Sequence, residues 1–378
     1  MSGSAFIAGY VRTPFTFAKK GALAGVRPDE LGAHTIRSLL ERTGVPGEDI
    51  EDVVWGCAFP EAEQGLNIGR VVGLLAGLPQ SSAGATVNRW CGSSIQAIQV
   101  AGGMIAMGAG EAFVAGGTES MSRVPMMGFN IMPPPSWSPE EVLDFVNVGL
   151  TAERVAEQYG LSRKDQEQFA YKSQAKALKA QQSGKLADEI AEVKVGNAIV
   201  AADGCVRETA LEKLAELKPA FRANGSVTAG TSSPMTDGST AVLVCGESYL
   251  EARGLAPLAR IRSFAVSGCS PGVMGLGPIE SSRKALARAK ITMDDIDIVE
   301  MNEAFASQAE VCRRVLEIPE EKLNIDGGAI ALGHPLGATG GRLVGKASQL
   351  LKREKRRYAL ATQCIGGGMG IAMVLEAV

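Results

Sequence analysis

The sequence has 378 residues, of which 46% are hydrophobic and 21% are charged. That length exceeds one small module, and that composition excludes an intrinsically disordered or low-complexity chain. The 38 Lys and Arg residues are balanced by 41 Asp and Glu residues, which gives a net charge of −3. Nucleic-acid-binding proteins normally carry a basic excess, so nucleic acid is excluded as a partner.

Cysteine usage and hydropathy constrain the compartment. The seven cysteines include no CxxC pair, and the first ten residues, MSGSAFIAGY, do not resemble a secretory signal. We therefore expect free thiols in a reducing compartment, with the cytoplasm as the location. No apolar run approaches about 18 residues, so no transmembrane helix is predicted. No cluster of His and Cys has metal-ligand spacing, so no metal site is predicted.

Hydrophobic periodicity in the first 120 residues predicts strands alternating with helices. Strands are expected at 5–10 and 53–59, helices at 31–41 and 94–107, and a further strand at 111–115 that ends in a turn at Gly116-Gly117. The second helix is apolar or small on every side, so we expect it to be buried on every side. Such alternation favours a layered α/β fold.

An internal repeat divides the chain. Identical residues recur at one interval of 246 positions, at Asp49 and Asp295, Ile50 and Ile296, Ala58 and Ala304, and Phe59 and Phe305. A chance match of a short string is the alternative explanation, but the constant register argues against it. We predict two related α/β halves, at residues 1–120 and 257–378, with the first half completed by about residues 237–256.

Residues 121–236 differ in composition and pattern from the two halves. They are predicted to be an insertion that covers one face of the molecule. They begin with a Met- and Pro-rich loop, and a charged helical stretch follows at 151–184. Helix-start signals are present at Thr151 (TAER) and Ser162 (SRKD). The apolar run TAVLVC at 240–245 returns to the pattern of a buried strand.

Four segments carry residues suited to catalysis. Cys91 lies in VNRWCGSS at the start of the buried helix, where the helix dipole and free N–H groups are expected to lower the pKa of a thiol below about 8.5. His334 lies in GGAIALGHPLGATGGR and is a candidate base or oxyanion donor. Cys364 precedes a glycine-rich turn in CIGGGMG, and Asn302 begins NEAF at the end of the repeated strand. Ordinary structural roles, such as a buried core cysteine or a loop histidine, remain the alternative for each residue alone.

These four motifs together resemble the thiolase family, and further similar segments extend the resemblance nearly end to end, including AGGTESMS at 115–122 and VTAGTSSPMTDG at 227–238. The resemblance implies two α/β halves of one plan in a five-layered αβαβα sandwich, with a loop domain inserted in the first half. It implies that Cys91 carries the acyl group, that His334 activates it, and that Cys364 is the acid/base at the α-carbon. Asn302 would fix a water in the first oxyanion hole, and the N–H groups of Cys91 and Gly366 would form the second.

The resemblance also implies the ligands. Coenzyme A and acyl-CoA are expected as substrates, with no permanently bound cofactor. Ser233, Ala229 and Arg207 are the candidate CoA-binding residues in the insertion. Solvated surface charge is the alternative reading of the basic residues there. A homodimer or homotetramer is expected, and a partner from a β-oxidation complex is a further expectation.

The resemblance leaves more than one activity open. Asn147-Val148-Gly149 stands where short-chain biosynthetic thiolases have His-Met-Gly, and LKPAFRANGSVTAGTSS looks more like degradative 3-ketoacyl-CoA thiolases. We therefore expect CoA-dependent cleavage of 3-ketoacyl-CoA, with a biosynthetic acetyl-CoA acetyltransferase as the alternative. A non-catalytic acyl-CoA-binding protein is a weaker alternative because all four catalytic positions are filled. A decarboxylating ketosynthase is disfavoured because it would need a second histidine near the site, and His34 lies far from the motifs.

Overall fold

The computed structural model describes residues 3–378. Within that range the chain forms twelve strands: β1 Ala5–Arg12, β2 Thr16–Phe17, β3 Asp52–Gly56, β4 Ala83–Val87, β5 Ala112–Ser120, β6 Val193–Val195, β7 Ala198–Val200, β8 Thr236–Gly246, β9 Ala259–Gly268, β10 Ile298–Met301, β11 Tyr358–Ile365 and β12 Met369–Glu376.

The same residues form twelve α-helices: α1 Pro28–Thr43, α2 Ile68–Ala76, α3 Ser93–Ala106, α4 Pro139–Val146, α5 Val148–Gln158, α6 Arg163–Gln182, α7 Leu211–Ala215, α8 Glu247–Arg253, α9 Gly277–Ala289, α10 Ala306–Val315, α11 Ala329–Leu332 and α12 Leu336–Arg353. None of these helices is long and apolar enough to cross a membrane.

Two half-sheets repeat one strand order. The first runs β4-β3-β5-β8-β1 and the second runs β10-β11-β12-β9, with β2 added beside β8. The fifth strand of the second half is reduced to one bridge between Leu323 and Val299. The half-sheets are joined where β1 pairs with β9, through Phe6 with Arg260 and Ile7 with Ala259. The predicted fold class, an α/β protein of two repeated halves, is confirmed.

The alternation of side chains along the strands produces five layers. Successive strand residues point to opposite faces, so Ile7 and Val54 join the central core around α3 and α12, whereas Phe6 and Val53 join the outer core against α1 and α2. The second half repeats the arrangement, with α9 and α10 on its outer face. Helices α3 and α12 are therefore buried between the half-sheets, and their N-termini lie at one end of the molecule.

The turn predicted at Gly116-Gly117 is wrong, because β5 continues through both glycines to Ser120. Neighbouring backbone explains their presence. An added Cβ at Gly116 would overlap the carbonyl oxygen of Thr240 in β8, and one at Gly117 would overlap the carbonyl oxygen of Gly337 in α12. These glycines therefore permit close backbone approach rather than a change of chain direction.

Of the two helix starts predicted in the insertion, the one at Ser162 is confirmed and the one at Thr151 is wrong. Ser162 forms the predicted kind of capping box, in which its hydroxyl accepts from the backbone N–H of Asp165 and the Asp165 carboxylate accepts from the backbone N–H of Ser162. The start predicted at Thr151 is wrong. Helix α5 begins at Val148, and the Asn147 side chain caps it by accepting from the N–H of Leu150. The Thr151 hydroxyl instead donates to the carbonyl oxygen of Val148.

Buried ion pairs hold the segment between β5 and β8 against the first half. Arg12 of β1 donates from both terminal nitrogens to Asp203, with N···O distances of 2.7 Å. It also donates to Glu189 over 2.9 Å. All three side chains are almost fully buried. Because a buried charge is tolerated only when it is paired, these contacts fix the position of the segment.

Candidate active site

A cavity of about 410 Å³ lies where the two halves and the segment 121–235 meet. Cys91, His334 and Cys364 all line it. The side chain of Asn302 contacts the imidazole of His334. The structure therefore brings together four residues that are up to 273 positions apart in sequence, all at the ends of strands or the beginnings of helices.

Cys91 lies in a single 3₁₀ turn, Trp90–Gly92, that leads directly into α3. The lowered thiol pKa predicted from this position is wrong. Burial is the largest influence and raises the pKa of Cys91 to about 11, although backbone N–H groups of Gly366 and of Cys91 itself act in the opposite direction. The nearby Glu119 carboxylate raises the pKa further. In the free protein this cysteine is therefore a neutral thiol that needs a base.

His334 lies in the turn between α11 and α12 and is 4% exposed. Burial, and secondarily the positive charge of Arg342, lower the pKa of its imidazole to about 3. The ring is therefore neutral at physiological pH and has one unprotonated nitrogen. A neutral imidazole in the same cavity as a neutral thiol is the arrangement that general-base activation requires.

Contacts at both ring nitrogens indicate which one carries the proton. Asn302 Nδ2 lies 3.3 Å from His334 Nε2, and Thr339 Oγ1 lies 2.6 Å from His334 Nδ1. With the Asn302 amide assigned in this orientation, Nδ2 donates to Nε2, and this assignment places the ring hydrogen on Nδ1. The Thr339 hydroxyl accepts from Nδ1 and can donate to the Pro335 carbonyl oxygen over 3.3 Å. This tautomer leaves Nε2 able to take a proton.

Asn302 follows β10 directly and is fully buried. Its Nδ2 contacts His334, but its Oδ1 is buried without a hydrogen-bond partner among residues 3–378. An unpartnered buried amide oxygen is costly, and one ordered water would satisfy it. The geometry therefore suits the water-fixing role that the sequence resemblance implied for this residue.

Cys364 lies near the end of β11, and its side chain is 1% exposed. Burial first, and then the proximity of Cys91, raise the pKa of this thiol well above its ordinary value. The turn that follows reverses the chain through Gly367 and Gly368, whose φ angles of 76° and 81° favour glycine. The neutral thiol thus lines the cavity as a candidate proton donor.

Glu119 and Gln363 also fix the site, and the sequence analysis did not identify either. The buried Glu119 carboxylate accepts from the N–H groups of Ala58 over 2.8 Å and Gly337 over 2.9 Å, and so joins the end of β3 to the start of α12. The Gln363 side chain donates to the carbonyl oxygen of Cys91. The motif AGGTES contains Glu119, but only the fold shows that the acid reaches the other half.

The predicted CoA-binding residues do not all reach the cavity. Ser233 and Ala229 line it, and the backbone N–H of Ser233 donates to the carbonyl oxygen of Ala304 over 2.9 Å. Arg207 does not line it, because that residue lies on an exposed loop and its guanidinium donates to the carbonyl oxygen of Cys205 over 3.3 Å. Within residues 3–378 no group of His, Cys, Asp or Glu side chains is arranged to hold a metal ion.

Comparison with known proteins identifies the family. The chain matches the family model "Thiolase, N-terminal domain" over residues 5–248. It matches "Thiolase, C-terminal domain" over residues 255–377. A 3-ketoacyl-CoA thiolase of Bacillus subtilis (strain 168) is 46% identical over 386 residues, which cover 98% of this chain and 99% of the relative.

Two further relatives carry the same name. The 3-ketoacyl-CoA thiolase of Shewanella sp. (strain MR-7) is 44% identical over 386 residues, with 99% of each chain covered. That of Colwellia psychrerythraea (strain 34H / ATCC BAA-681) is 43% identical over 378 residues, with 97% of this chain and 98% of the relative covered. The chain belongs to the thiolase family.

Proposed function

We propose that this protein cleaves 3-ketoacyl-CoA with CoA, releasing acetyl-CoA and a shortened acyl-CoA through an acyl-Cys91 intermediate. The observation that carries the proposal is the pair of thiols, the partly exposed Cys91 and the buried Cys364, which line one cavity with the neutral imidazole of His334. Relatives at 42% to 46% identity are named 3-ketoacyl-CoA thiolase, which supports it further. The protein is thus proposed to be an acyltransferase.

In the first half-reaction the Cys91 thiol gives its proton to His334 Nε2, and the sulfur attacks the 3-keto carbon. The bond between the α- and β-carbons breaks, and its electron pair forms the enolate of acetyl-CoA. Cys364 then donates its thiol proton to the α-carbon. Imidazolium and Cys364 thiolate accumulate together, so the net charge of the buried site is unchanged.

In the second half-reaction the thiol of a second CoA attacks the acyl-Cys91 carbonyl and gives its proton to the Cys364 thiolate. The bond between the acyl carbon and Cys91 breaks, and the Cys91 sulfur recovers its proton from His334. Negative charge develops on oxygen in both halves. His334 and a water held by Asn302 are proposed as one oxyanion hole, and the N–H groups of Cys91 and Gly366 as the other.

The domain roles are part of the same proposal. Residues 1–120, completed by 237–256, and residues 257–378 are the two halves, and residues 121–236 are the insertion that covers the cavity and binds CoA. Ser233 and Ala229 are proposed to contact pantetheine, and Arg207 the adenine end. CoA and acyl-CoA enter as substrates, and no resident cofactor is required.

The proposal also covers assembly and location. A homodimer or homotetramer, and a β-oxidation partner, rest on the family resemblance alone. Seven free cysteines support a reducing compartment, and we propose the cytoplasm.

The proposal is tested by CoA-dependent thiolysis of 3-ketoacyl-CoA, followed through loss of substrate absorbance, with the wild type and the variants Cys91→Ala and Cys364→Ala. We expect both variants to lose activity by at least about a hundredfold. Cys91→Ala should also abolish the acyl adduct seen in the intact mass. Turnover that survives in Cys91→Ala would refute the mechanism. A biosynthetic acetyltransferase, which the names of the relatives do not favour, would turn over acetoacetyl-CoA alone.

A further inference from the structure

Two polar contacts connect β10 with the region where α12 begins. Just after β10, Asn302 Nδ2 lies 3.3 Å from His334 Nε2. Two residues earlier in the sequence, Glu300 Oε2 accepts from Arg342 Nη1 over 3.1 Å. His334 stands two residues before α12, and Arg342 lies within α12. A contact of the active site and a buried acid–guanidinium pair, called here the Glu300–Arg342 pair, therefore connect the same two parts of the fold.

The alternation of side chains along β10 explains why both contacts reach α12. Ile298 belongs to the central core around α3 and α12, whereas Met301 belongs to the outer core. Because successive strand residues point to opposite faces, Glu300 and Asn302 share the inward face with Ile298. The backbone N–H of Asn302 donates to the carbonyl oxygen of Thr362 in β11 over 3.0 Å, so the extended geometry continues as far as this residue.

We propose that Glu300 and Arg342 are positioning residues, whose buried contact fixes α12 against β10 and thereby holds the imidazole of His334 in place. The inference rests on the proposed function, in which His334 Nε2 accepts the proton of the Cys91 thiol. Neither Glu300 nor Arg342 lines the cavity, so both act through His334. The inference adds to the site two residues that do not touch the substrate.

The burial of the Glu300–Arg342 pair indicates a geometric role rather than a large net stabilisation. The Glu300 side chain is 0% exposed and that of Arg342 is 1% exposed. Glu300 Oε1, Arg342 Nε and Arg342 Nη2 have no hydrogen-bond partner among residues 3–378. Removing charged groups from water is costly, and well-packed apolar residues often stabilise a fold equally well. A directional contact of this kind is expected where the relative position of two elements matters.

A second buried cation on α12 has different partners. Lys346 follows Arg342 by four residues, and so lies on the same side of the helix. Its Nζ lies 2.8 Å from Asp326 Oδ2 and 3.7 Å from Glu189 Oε1. Asp326 precedes α11, and Glu189 belongs to the segment 121–235. Lys346 therefore anchors α12 to other segments, whereas Arg342 joins it to β10, and this difference supplies a matched control.

The contact between Glu300 and Arg342 does not require an ionised carboxyl group. Burial raises the pKa of Glu300 to about 7, although Arg342 and Lys346 act in the opposite direction. A protonated carboxyl group retains a carbonyl oxygen, which still accepts from a guanidinium. The side chain of glutamine offers the same acceptor, so Glu300→Gln should preserve the contact and serve as the conservative variant.

The first experiment measures CoA-dependent thiolysis by Glu300→Leu, Glu300→Gln and the double variant Glu300→Leu/Arg342→Met. Glu300→Leu removes the acceptor, and the double variant replaces both partners by apolar side chains. We expect kcat to fall about 10- to 100-fold in these two proteins, because a misplaced base slows proton transfer. KM should stay within about threefold, because the cavity lining is unchanged. Glu300→Gln should keep kcat within about threefold, and a wild-type kcat in the double variant would overturn the proposal.

The second experiment separates positioning from stability by urea unfolding of the same proteins and of Lys346→Met. The double variant contains no unpaired charge at these two positions, so its urea midpoint should stay close to that of the wild type. Lys346→Met leaves buried carboxylates without their cation and should lower the midpoint, yet its folded form should keep kcat within about threefold. A kcat that followed the urea midpoint in every variant, Lys346→Met included, would show a merely structural role and refute the proposal.

A third measurement requires no turnover and so distinguishes failure of the pair from failure of the proposed function. ¹⁵N NMR at neutral pH can report the tautomer of His334, because the chain contains only two histidines. We expect the Nδ1–H form in the wild type and in Glu300→Gln, and a mixture of both forms in the double variant. One tautomer throughout would contradict the positioning role. If the wild type cleaves no 3-ketoacyl-CoA, the proposed function fails, and the tautomers alone decide whether the pair positions the ring.

Discussion

Both imidazole nitrogens of His334 have a polar contact: Asn302 contacts Nε2, and Thr339 contacts Nδ1. In enzymes that pair a nucleophile with a histidine, a third group on the far nitrogen sets the tautomer and orientation of the ring. Thr339 has that position, with its hydroxyl 2.6 Å from Nδ1. It is the fifth residue after His334, in the first turn of α12, so the short span GHPLGAT contains both.

Replacing Thr339 by Val should therefore remove the acceptor for Nδ1–H while keeping the shape of the side chain. We expect kcat to fall about 10- to 100-fold, as for other groups that orient a histidine. Thr339→Ser keeps the hydroxyl and should stay within about threefold of the wild type. Because the chain contains only His34 and His334, ¹⁵N NMR of the two imidazoles can report the tautomer directly. Equal tautomers and rates in Thr339→Val would disprove the role.

The ionisation of Cys91 is also decided at the residue scale. Its thiol pKa is raised to about 11 in the folded protein, mainly by burial. Alkylation by iodoacetamide proceeds through the thiolate, so the rate for the Cys91 peptide should rise about tenfold per pH unit until the pH nears 11. The same peptide in urea should level off near about pH 8.5. A plateau near that pH in the folded protein would contradict the burial argument.

The sign of the linked stability follows from the same shift. The folded protein retains the Cys91 proton to higher pH than the unfolded chain does. The contribution of the Cys91 thiol to the free energy of unfolding is therefore complete below about pH 8.5, and it is lost as the pH rises toward 11. The His334 pKa, lowered to about 3 by burial, acts in the opposite direction: its contribution is present above about pH 6.5 and is lost as the pH falls through that interval.

At the scale of elements, the sequence located β1, β3, β8, α1 and α3 but misread Gly116-Gly117 in β5. Two adjacent glycines are ordinarily a turn signal. Here β8 and the start of α12 approach so closely that no Cβ fits. The misreading has a physical cause, because turn propensity is local whereas this approach involves Gly117 and Gly337, residues in different halves of the molecule.

Gly117→Ala should therefore destabilise the protein much more than an ordinary glycine substitution does. The new methyl group would meet the carbonyl oxygen of Gly337, just after the turn that carries His334. We expect a loss of about 1–3 kcal/mol in the free energy of unfolding, measured in urea, and a lower kcat. The control is Gly103→Ala in α3, where nothing lies within 4 Å of the added Cβ. That change should raise the free energy of unfolding by at most about 1 kcal/mol. Equal effects of the two would invalidate the close-approach argument.

At the scale of the whole molecule, buried charges join the segment 121–235 to the first half. Arg12 is paired with Asp203 and Glu189, and Asp203 also accepts from the N–H of Phe15 over 2.8 Å. The partners are more than 170 positions apart, so no local sequence pattern could have identified them. Removing one member leaves a buried charge without full compensation.

We expect Asp203→Asn to lower the free energy of unfolding by about 3–5 kcal/mol and to increase proteolysis within residues 121–235. Lys213→Gln is the matched control, because its pair with Glu216 is exposed. Exposed pairs contribute at most about 1 kcal/mol. Urea unfolding and limited trypsin digestion measure both effects. A loss below about 1 kcal/mol in Asp203→Asn would show that the network does not hold the segment in place.

The sequence by itself determined the two-halved α/β fold, the family, and the motifs that contain Cys91, His334, Asn302 and Cys364. These follow from residue order, since periodicity and short motifs are local properties of the chain. The tertiary structure alone decided the protonation of Cys91, because a thiol at a helix start is acidic only if it stays hydrated, and here burial outweighs the N–H groups. It also decided the reach of Glu119 to Gly337 and the apolar contacts of Trp90 beside the nucleophile. Desolvation and long-range packing depend on which distant segments come into contact in the fold. The order of residues along the chain does not show which segments those are.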